Sequence, residues 1–311
     1  MKADILVETK DLSRKEWLAW RKNGIGGSDV AAILGISKWQ SAVGLWLDKT
    51  NQADEPEKEN EAMQWGSIME PVIRNHFAKV MGKPVAEVKA ILRHPEYPFM
   101  LADVDGVTVD DEGNPAILEI KTASEYKRDE WEDDIPAYYQ TQVQHYLCVT
   151  GVKKAYVAVL IGGNSFKVFE VDADAEVQQM LIAVERDFWN KVQNMIRPEI
   201  DGSDAATKLL DCAYHGGISE PIVLPEEAIE YVDRYIEASA AEDDAKAERQ
   251  DAANHIKDFM RDYDKAKCLG YTVSWKPVTS ERLDSKALKE AEPEIYQKYV
   301  KTSTSRRFTI K

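Results

Sequence analysis

The chain has 311 residues, 44% of them hydrophobic, which is enough to form the core of one large domain or of one domain with an appendage. Its net charge of −15 argues against a broad basic surface for binding a polyanion, although an enzyme that holds divalent cations brings its own positive charge. There is no apolar run near the roughly 18 residues of a membrane span and no signal-peptide pattern, so we expect a cytoplasmic protein without a membrane partner.

The first predicted elements are helical. Residues 13–50 predict helices around a glycine-rich turn, and residues 51–61 predict a polar, charged connector. An apolar repeat over residues 62–81 predicts a further helix. Because a proline is unfavourable inside a helix, we expect this one either to start near Ser67 or to bend at Pro71.

Strand patterns follow that helix, and the last two of them are joined by a turn-forming cluster, DDEGNP. The predicted strands cover residues 89–94, 100–109 and 116–121. A helix, a β-hairpin and a second helix are then predicted over residues 135–151, 153–172 and 175–196. Strands with helices before, between and after them predict an α/β fold over residues 1–200.

The rest of the chain has a different composition. Residues 201–224 predict a connector, and residues 225–311 predict a C-terminal extension. The extension begins with a segment rich in Ala, Glu, Asp and Lys, which predicts one long helix or a helical hairpin, and its tail predicts two strands around a short helix. We expect the extension to serve assembly or to contact DNA or a protein partner.

Acidic residues occupy unusual positions in the central predicted strands. Side chains alternate along a strand, so Glu119 and Lys121 share one face. A hairpin that pairs Val109 with Pro115 places Asp105 opposite Glu119, where two ionised carboxylates repel unless a cation lies between them. This pattern predicts a Mg²⁺ or Mn²⁺ site for phosphodiester hydrolysis, with Lys121 beside it to position water. By itself, a Glu-x-Lys tripeptide also fits a solvated edge strand.

A glycine-rich segment near the amino terminus suggests an anion site. In "GIGGSDVAAIL" we expect Ser28 to be the N-cap of a helix, where free backbone N–H groups attract anions. Arg21 lies nearby and can clamp a phosphate with its planar guanidinium. The two residues therefore predict a pocket for a 5′-terminal phosphate, although simple helix capping beside a surface arginine also fits them.

Five ordered motifs resemble a known family: "WRKNGIGGSDVAAILG", "WGSIMEP", "LADVDG", "LEIKTA" and "YYQTQVQHYLCVTG". They resemble the YqaJ-type viral recombinases, relatives of bacteriophage lambda exonuclease in the restriction-endonuclease-like PD-(D/E)xK superfamily. Val104 stands where that superfamily usually has proline. The resemblance covers about residues 13–197 and implies a central mixed sheet flanked by helices.

The resemblance also implies roles for individual residues. Asp105, Glu119 and the Ile120 carbonyl would bind metal, with Glu70 as a further ligand. Lys121 would position the attacking water, Gln142 would orient both, and Arg21 and Ser28 would bind the 5′ phosphate. Two Mg²⁺ or Mn²⁺ ions per site are implied. Without the resemblance, Glu70 fits an exposed helical glutamate and Gln142 fits the polar edge of a core helix.

The implied activity is a Mg²⁺-dependent 5′-to-3′ exonuclease on linear double-stranded DNA that releases 5′-mononucleotides and leaves 3′ overhangs for phage-type recombination by strand annealing. The resemblance also implies a homo-oligomer, which is a trimeric ring in the relative, and a single-strand annealing protein as partner. It further implies a phage or prophage origin in a bacterial host. Two alternatives stay open: a Mg²⁺-dependent endonuclease or single-strand nuclease of this fold, and a non-catalytic DNA-end-binding recombination factor.

Some chemistry-bearing residues are expected to be structural. Three dispersed cysteines argue against a disulfide framework, a CxxC metal site and an iron–sulfur cluster. The histidines His76, His94 and His145 lack metal-site spacing, so we expect them to be structural or exposed. Five tryptophans are expected in the core rather than as base-stacking platforms, although one of them could serve as a wedge at a DNA end: Trp17, Trp20, Trp39, Trp46 and Trp65.

Overall fold

The structure is a computed structural model that describes residues 2–53, 60–214, 216–302 and 306–310. The chain divides into two compact units, Met1–Ala213 and Tyr214–Lys311. Part of the connector predicted at 51–61, residues 54–59, lies outside the described residues.

Among the described residues of the first unit, eight strands form two four-stranded sheets. The first sheet has the order β1-β3-β4-β2 and contains β1 (Asp4–Glu8), β2 (Ile25–Gly26), β3 (Ala90–Arg93) and β4 (Met100–Ala102). The second has the order β5-β6-β7-β8 and contains β5 (Gly106–Val109), β6 (Pro115–Ala123), β7 (Lys154–Ile161) and β8 (Ser165–Asp172). The β6–β7 pair is parallel and its neighbours are antiparallel, which makes this sheet mixed.

Helices separate some strands of the first unit and follow the last of them. They are α1 (Arg14–Arg21), α2 (Gly27–Ile33), α3 (Ala42–Lys49), α4 (Glu61–Met81), a 3-10 helix (Glu125–Trp131), α5 (Ala137–Thr150), α6 (Ala175–Gln193) and α7 (Asp204–Ala213). Helix α7 lies inside the range predicted as a connector and belongs to the first unit.

Helix α4 passes through Pro71, so the first of the two alternatives, a start near Ser67, is wrong. The helix begins earlier because Asn60 caps it, accepting the Met63 N–H at 3.0 Å. Pro71 removes one backbone bond, but it lies on the exposed side, where water can satisfy the freed carbonyl. Gly82 ends the helix in the left-handed conformation.

The segment predicted as one strand over 100–109 is instead two strands, β4 and β5, which belong to different sheets. Residues 103–105 form the break between them. The predicted hairpin register is confirmed, since Val109 pairs with Pro115 and Gly106 pairs with Leu118.

The alternation of β6 places its apolar side chains in two core clusters. Ile117 packs with Val143 and Leu147 of α5. On the opposite face, Leu118 packs with Phe77 of α4. Each such buried side chain stabilises the fold by about 1.5–3 kcal/mol. Helices therefore cover both faces of the mixed sheet, as predicted.

The second unit contains a long helix, α8 (Ala228–Met260), a hairpin of β9 (Lys265–Cys268) and β10 (Tyr271–Ser274), and two short helices, α9 (Ser285–Ala291) and α10 (Pro293–Tyr299). The prediction of two strands around a short helix is wrong. The strands are adjacent because Leu269 and Gly270 both adopt positive φ, which closes a two-residue turn. Within the described ranges, no helix of the chain is long and apolar enough to cross a membrane.

Candidate active site

Strand β6 carries the central pair of the site. Glu119 is 2% exposed and lies beside Lys121, whose Nζ donates to Glu119 Oε1 at 2.6 Å. The strand alternation that buries Ile117 on this face also orients these two side chains. The ring of Tyr139, on α5, lies 4.8 Å from Lys121 Nζ and holds the ammonium by a cation–π contact.

Asp105 lies directly before β5, at the break between the two sheets. Its Oδ2 accepts the backbone N–H of Ile120 at 2.7 Å. The N–H and C=O of one strand residue point toward the same neighbouring strand, so the Ile120 carbonyl faces the same edge as Asp105. The expected proximity of Asp105 to Glu119 is therefore present, with the Asp105 carboxylate turned to the backbone of β6.

Glu70 approaches this edge from α4, where it forms an ion pair with Arg74. Burial and the nearby Asp105 charge raise the pKa of Glu70 to about 7, although Arg74 acts in the opposite direction. The effect of Asp105 shows that the helix places Glu70 within electrostatic reach of the sheet site.

The electrostatics of the site show a crowded set of acidic groups. Burial and the charge of Asp105 raise the pKa of Glu119 to about 8, although Lys121 opposes this. Burial also raises the pKa of Asp105. Desolvation acts to lower the pKa of Lys121, but Glu119 and Asp105 outweigh it and raise this pKa, which keeps the ammonium charged.

Gln142 connects α5 to this pair. Its Nε2 donates to Glu119 Oε1 at 2.8 Å and to the Tyr146 hydroxyl at 3.1 Å. Lys121 and Gln142 therefore share one oxygen of Glu119. The other oxygen, Oε2, is buried and has no hydrogen-bond partner among the described residues.

Arg21 and Ser28, the two residues of the predicted phosphate clamp, are in contact: Arg21 Nη2 donates to Ser28 Oγ at 2.7 Å. The expectation that Ser28 is the N-cap is wrong, because Gly26 occupies that position and Ser28 lies inside α2. The helix begins earlier because Asp29 accepts the Gly26 N–H at 2.9 Å. The Ser28 hydroxyl is thereby left exposed beside a guanidinium that is 25% exposed.

Residues that the sequence analysis missed hold this clamp in place. Buried Lys49 donates to Asp29 Oδ2 at 2.7 Å and to the Arg21 carbonyl at 3.0 Å. Arg21 Cζ lies 4.7 Å from the centre of the Trp17 ring, and Trp17 Nε1 donates to Asp103 Oδ2 at 2.6 Å. Two signals could have found them: the four-residue spacing of Trp17 and Arg21 on one helix, and the aspartate two residues before Asp105 in "ADVD".

Gly27 joins the clamp to the β6 pair. A Cβ atom on Gly27 would lie 2.5 Å from Tyr146 Cε1 and 2.9 Å from Gln142 Cγ. Such distances are far below van der Waals contact, so only glycine allows α2 to start this close to α5. The phosphate clamp and the Lys121 pair therefore lie on adjoining elements.

Within the described ranges, no group of three or more His, Cys, Asp or Glu side chains has a geometry that could hold a metal ion. The acidic groups are turned to protein donors, Asp105 to Ile120 and Glu119 to Lys121 and Gln142. The residues nevertheless fit a hard cation. A positive ion would give the unpartnered Glu119 oxygen a partner, and it would offset the repulsion between the carboxylates, which adds to the effect of burial in raising their pKa values.

The three histidines of interest have structural contacts. His145 is fully buried, with Nδ1 at 2.8 Å from Glu185 and Nε2 at 2.8 Å from the Leu101 carbonyl, so it links α5, α6 and β4. His76 packs edge-to-face on Phe166. His94 accepts two backbone N–H groups of the following turn.

Comparisons with known proteins identify the family of the chain and its fold. The YqaJ-like viral recombinase domain family matches residues 16–153. The uncharacterized protein YqaJ of Bacillus subtilis (strain 168) is 42% identical over 315 residues, which cover 100% of this chain and 98% of the relative. LHK-Exo, an alkaline exonuclease from Laribacter hongkongensis, has a crystal structure in complex with dAMP that aligns with a TM-score of 0.50 at 22% identity, over 58% of this chain and 94% of that chain. The alignment confirms the predicted fold, and the chain belongs to the YqaJ-like viral recombinase family.

Proposed function

We propose that the chain is a divalent-cation-dependent exonuclease that degrades one strand of linear double-stranded DNA from its 5′ end and releases 5′-mononucleotides. The observation that carries this proposal is the contact through Gly27, which sets the Arg21–Ser28 clamp beside the Gln142–Glu119–Lys121 group. An exonuclease needs these two features together, because it must hold a strand end while it hydrolyses the neighbouring phosphodiester.

The contacts support a hydrolytic role for each residue of the site. One or two Mg²⁺ or Mn²⁺ ions, held by Asp105, Glu119, the Ile120 carbonyl and Glu70, would supply Lewis-acid stabilisation of charge on the phosphate. Lys121, kept protonated by the acidic groups beside it, positions the attacking water and stabilises negative charge on the scissile phosphate.

Gln142 and Tyr139 keep these groups in place. The Gln142 amide binds one oxygen of Glu119 and leaves the other directed away from protein donors. The Tyr139 ring limits the positions that the Lys121 ammonium can occupy. Such positioning matters because small displacements of reacting groups lower rates strongly.

The phosphate clamp accounts for the proposed direction of digestion. Arg21 offers a planar set of donors suited to a phosphate, and the Ser28 hydroxyl adds a further polar group. Asp29 would repel a phosphate, but buried Lys49 neutralises it. The dAMP bound by LHK-Exo belongs to the product class proposed here.

We also propose that the protein works as a homo-oligomer, with a ring as the relevant form, and supplies 3′ overhangs to a single-strand annealing protein in phage-type recombination. Family membership supports this role. The second unit, which carries the long helix α8, would provide contacts for assembly, DNA or the annealing partner.

The test is digestion of a blunt linear duplex that carries a 5′-terminal label, with Mg²⁺ and with chelator, beside a covalently closed circle. We expect labelled mononucleotide from the linear duplex with Mg²⁺ only, and an intact circle. Cleavage of the circle would identify an endonuclease. Retention of duplex ends without cleavage would identify an end-binding factor.

A further inference from the structure

The break between β4 and β5 presents two carboxylates, and they serve different neighbours. Asp105 accepts the Ile120 N–H beside the Lys121 pair. Asp103 turns to α1 and accepts the indole N–H of Trp17 at 2.6 Å. The proposed function uses Asp105 but assigns no role to Asp103 or Trp17.

The Trp17–Asp103 bond fixes the orientation of an aromatic ring. An indole has one hydrogen-bond donor, so a short bond from Nε1 to a charged acceptor determines how the ring lies. Asp103 directly follows strand β4 and is half-buried, so the adjoining strand limits its movement. A residue outside α1 therefore fixes the orientation of the Trp17 ring.

The fixed ring in turn limits Arg21. Trp17 and Arg21 lie four residues apart on α1 and so share a face of the helix. The guanidinium carbon lies 4.7 Å from the ring centre, and Nη2 reaches Ser28. A long arginine side chain with many rotamers is thereby restricted to one direction, toward the exposed Ser28 hydroxyl.

The backbone of Arg21 is held separately, by Lys49. Lys49 Nζ donates to the Arg21 carbonyl at 3.0 Å and neutralises Asp29, which lies 3.6 Å from the guanidinium. Lys49 therefore fixes the backbone of Arg21, whereas Trp17 and Asp103 fix the end of its side chain.

We infer that Asp103 and Trp17 are positioning residues that aim the Arg21 guanidinium at a 5′-terminal phosphate monoester and so set the preference for phosphorylated over hydroxyl ends. The inference rests on the proposed function and adds to it a specificity device that also connects the clamp to the break at residues 103–105, which carries Asp105.

The experiment compares hairpin duplexes with a single open end that bears either a 5′ phosphate or a 5′ hydroxyl. The variants are Trp17→Phe, which keeps a ring but removes the N–H donor, and Asp103→Ala, which removes the acceptor. For each, kcat and KM are measured on both substrates. We expect the ratio of kcat/KM for phosphate ends to kcat/KM for hydroxyl ends to fall about tenfold in both variants, because KM for phosphate ends rises.

Three further variants separate positioning from other causes. The double variant should lose no more than either single variant, because both changes break one connection. Asp103→Asn keeps an acceptor oxygen and should restore most of the preference. Trp189→Phe, a half-buried tryptophan on α6, is the matched control and should keep the wild-type ratio. Circular dichroism and thermal melting check that each variant is folded.

The outcomes distinguish this inference from the proposed function. An equal loss on both substrates, or additive losses in the double variant, would overturn it. So would an Asp103→Ala protein that needs more Mg²⁺ when Trp17→Phe does not, since Asp103 would then act at the cation site. If wild type releases no nucleotide, the proposed function fails, and anisotropy of the two labelled ends in chelator still measures whether the variants lose a preference for 5′ phosphate.

Discussion

The Asp105 carboxylate accepts the backbone N–H of Ile120 at 2.7 Å, across the point where one sheet ends and the other begins. This bond connects the break at residues 103–105 to the strand that carries Glu119 and Lys121. Carboxylates from separate elements are thus gathered at one edge, and their mutual repulsion is the basis of several testable properties.

Replacing Lys121 by alanine should abolish hydrolysis while DNA binding is retained. The ammonium positions water and stabilises phosphate charge, and loss of such a group lowers rates about 10²–10⁴-fold. Single-turnover release of labelled nucleotide measures the rate, and anisotropy measures binding. Lys153→Ala, an exposed lysine before β7, is the matched control and should retain full activity.

The cation-free protein should lose stability as the pH rises from about 6 to about 9. The pKa of Glu70 is raised to about 7 and that of Glu119 to about 8, both above the ordinary glutamate pKa of 4.5. The folded state therefore holds these protons more tightly than the unfolded state, and the resulting stabilisation is lost as the pH rises from 4.5 through 7 to 8. Thermal melting in chelator across this range measures the effect. A melting temperature that increases toward pH 9 would contradict it.

Mg²⁺ should reverse that trend, because cation binding requires deprotonated carboxylates. We expect the increase in melting temperature on adding Mg²⁺ to be larger at about pH 9 than at about pH 6. Where binding displaces one proton, the apparent affinity should weaken about tenfold per pH unit of acidification. Titration calorimetry at several pH values measures this dependence, and a pH-independent affinity would exclude Glu70 and Glu119 as the titrating ligands.

Asp105→Asn should stabilise the cation-free protein at alkaline pH and remove activity. The amide oxygen can still accept the Ile120 N–H. Burial still raises the pKa of Glu119, but the Asp105 charge that raises it further is gone, so we expect a gain of about 1 kcal/mol in the free energy of unfolding. Denaturant unfolding in chelator measures it. Asp110→Asn, on the exposed turn after β5, supplies a comparison in which activity persists.

Gly27→Ala should reduce activity strongly even though it adds one methyl group. The new Cβ would lie 2.5 Å from Tyr146 and 2.9 Å from Gln142, so α2 or α5 must move and the Glu119 contact is disturbed. We expect a rate loss of about 10²-fold and a stability loss of about 1–3 kcal/mol. Gly202→Ala, where the Cβ meets open space, should behave as wild type.

A chain that ends at residue 213 should fold and retain cation-dependent hydrolysis. Every candidate site residue lies in the first unit, and so do the buried clusters on both faces of its mixed sheet. We expect the shortened protein to lose assembly or processivity, as measured by sedimentation and by single-encounter digestion lengths. A folded protein of this length without any hydrolysis would contradict the assignment of the site to the first unit.

The sequence alone determined the strand that carries the site. The period-two alternation of β6 correctly predicted that Glu119 and Lys121 share a face and that Ile117 and Leu118 pack on opposite sides. The turn cluster after Val109 correctly predicted the hairpin register. These features depend on residues close together along the chain, so local rules suffice for them.

Only the tertiary structure decided which long-range partners complete the site. The bond from Trp17 to Asp103 joins residues 86 positions apart in the chain, and the bond from buried Lys49 to the Arg21 carbonyl joins residues 28 positions apart. Nor does any local pattern show that Gly27 must be a glycine because Tyr146 and Gln142 approach it. Such contacts arise when helices pack on a sheet and exclude water, and a charge buried there needs whichever partner the packing brings within reach.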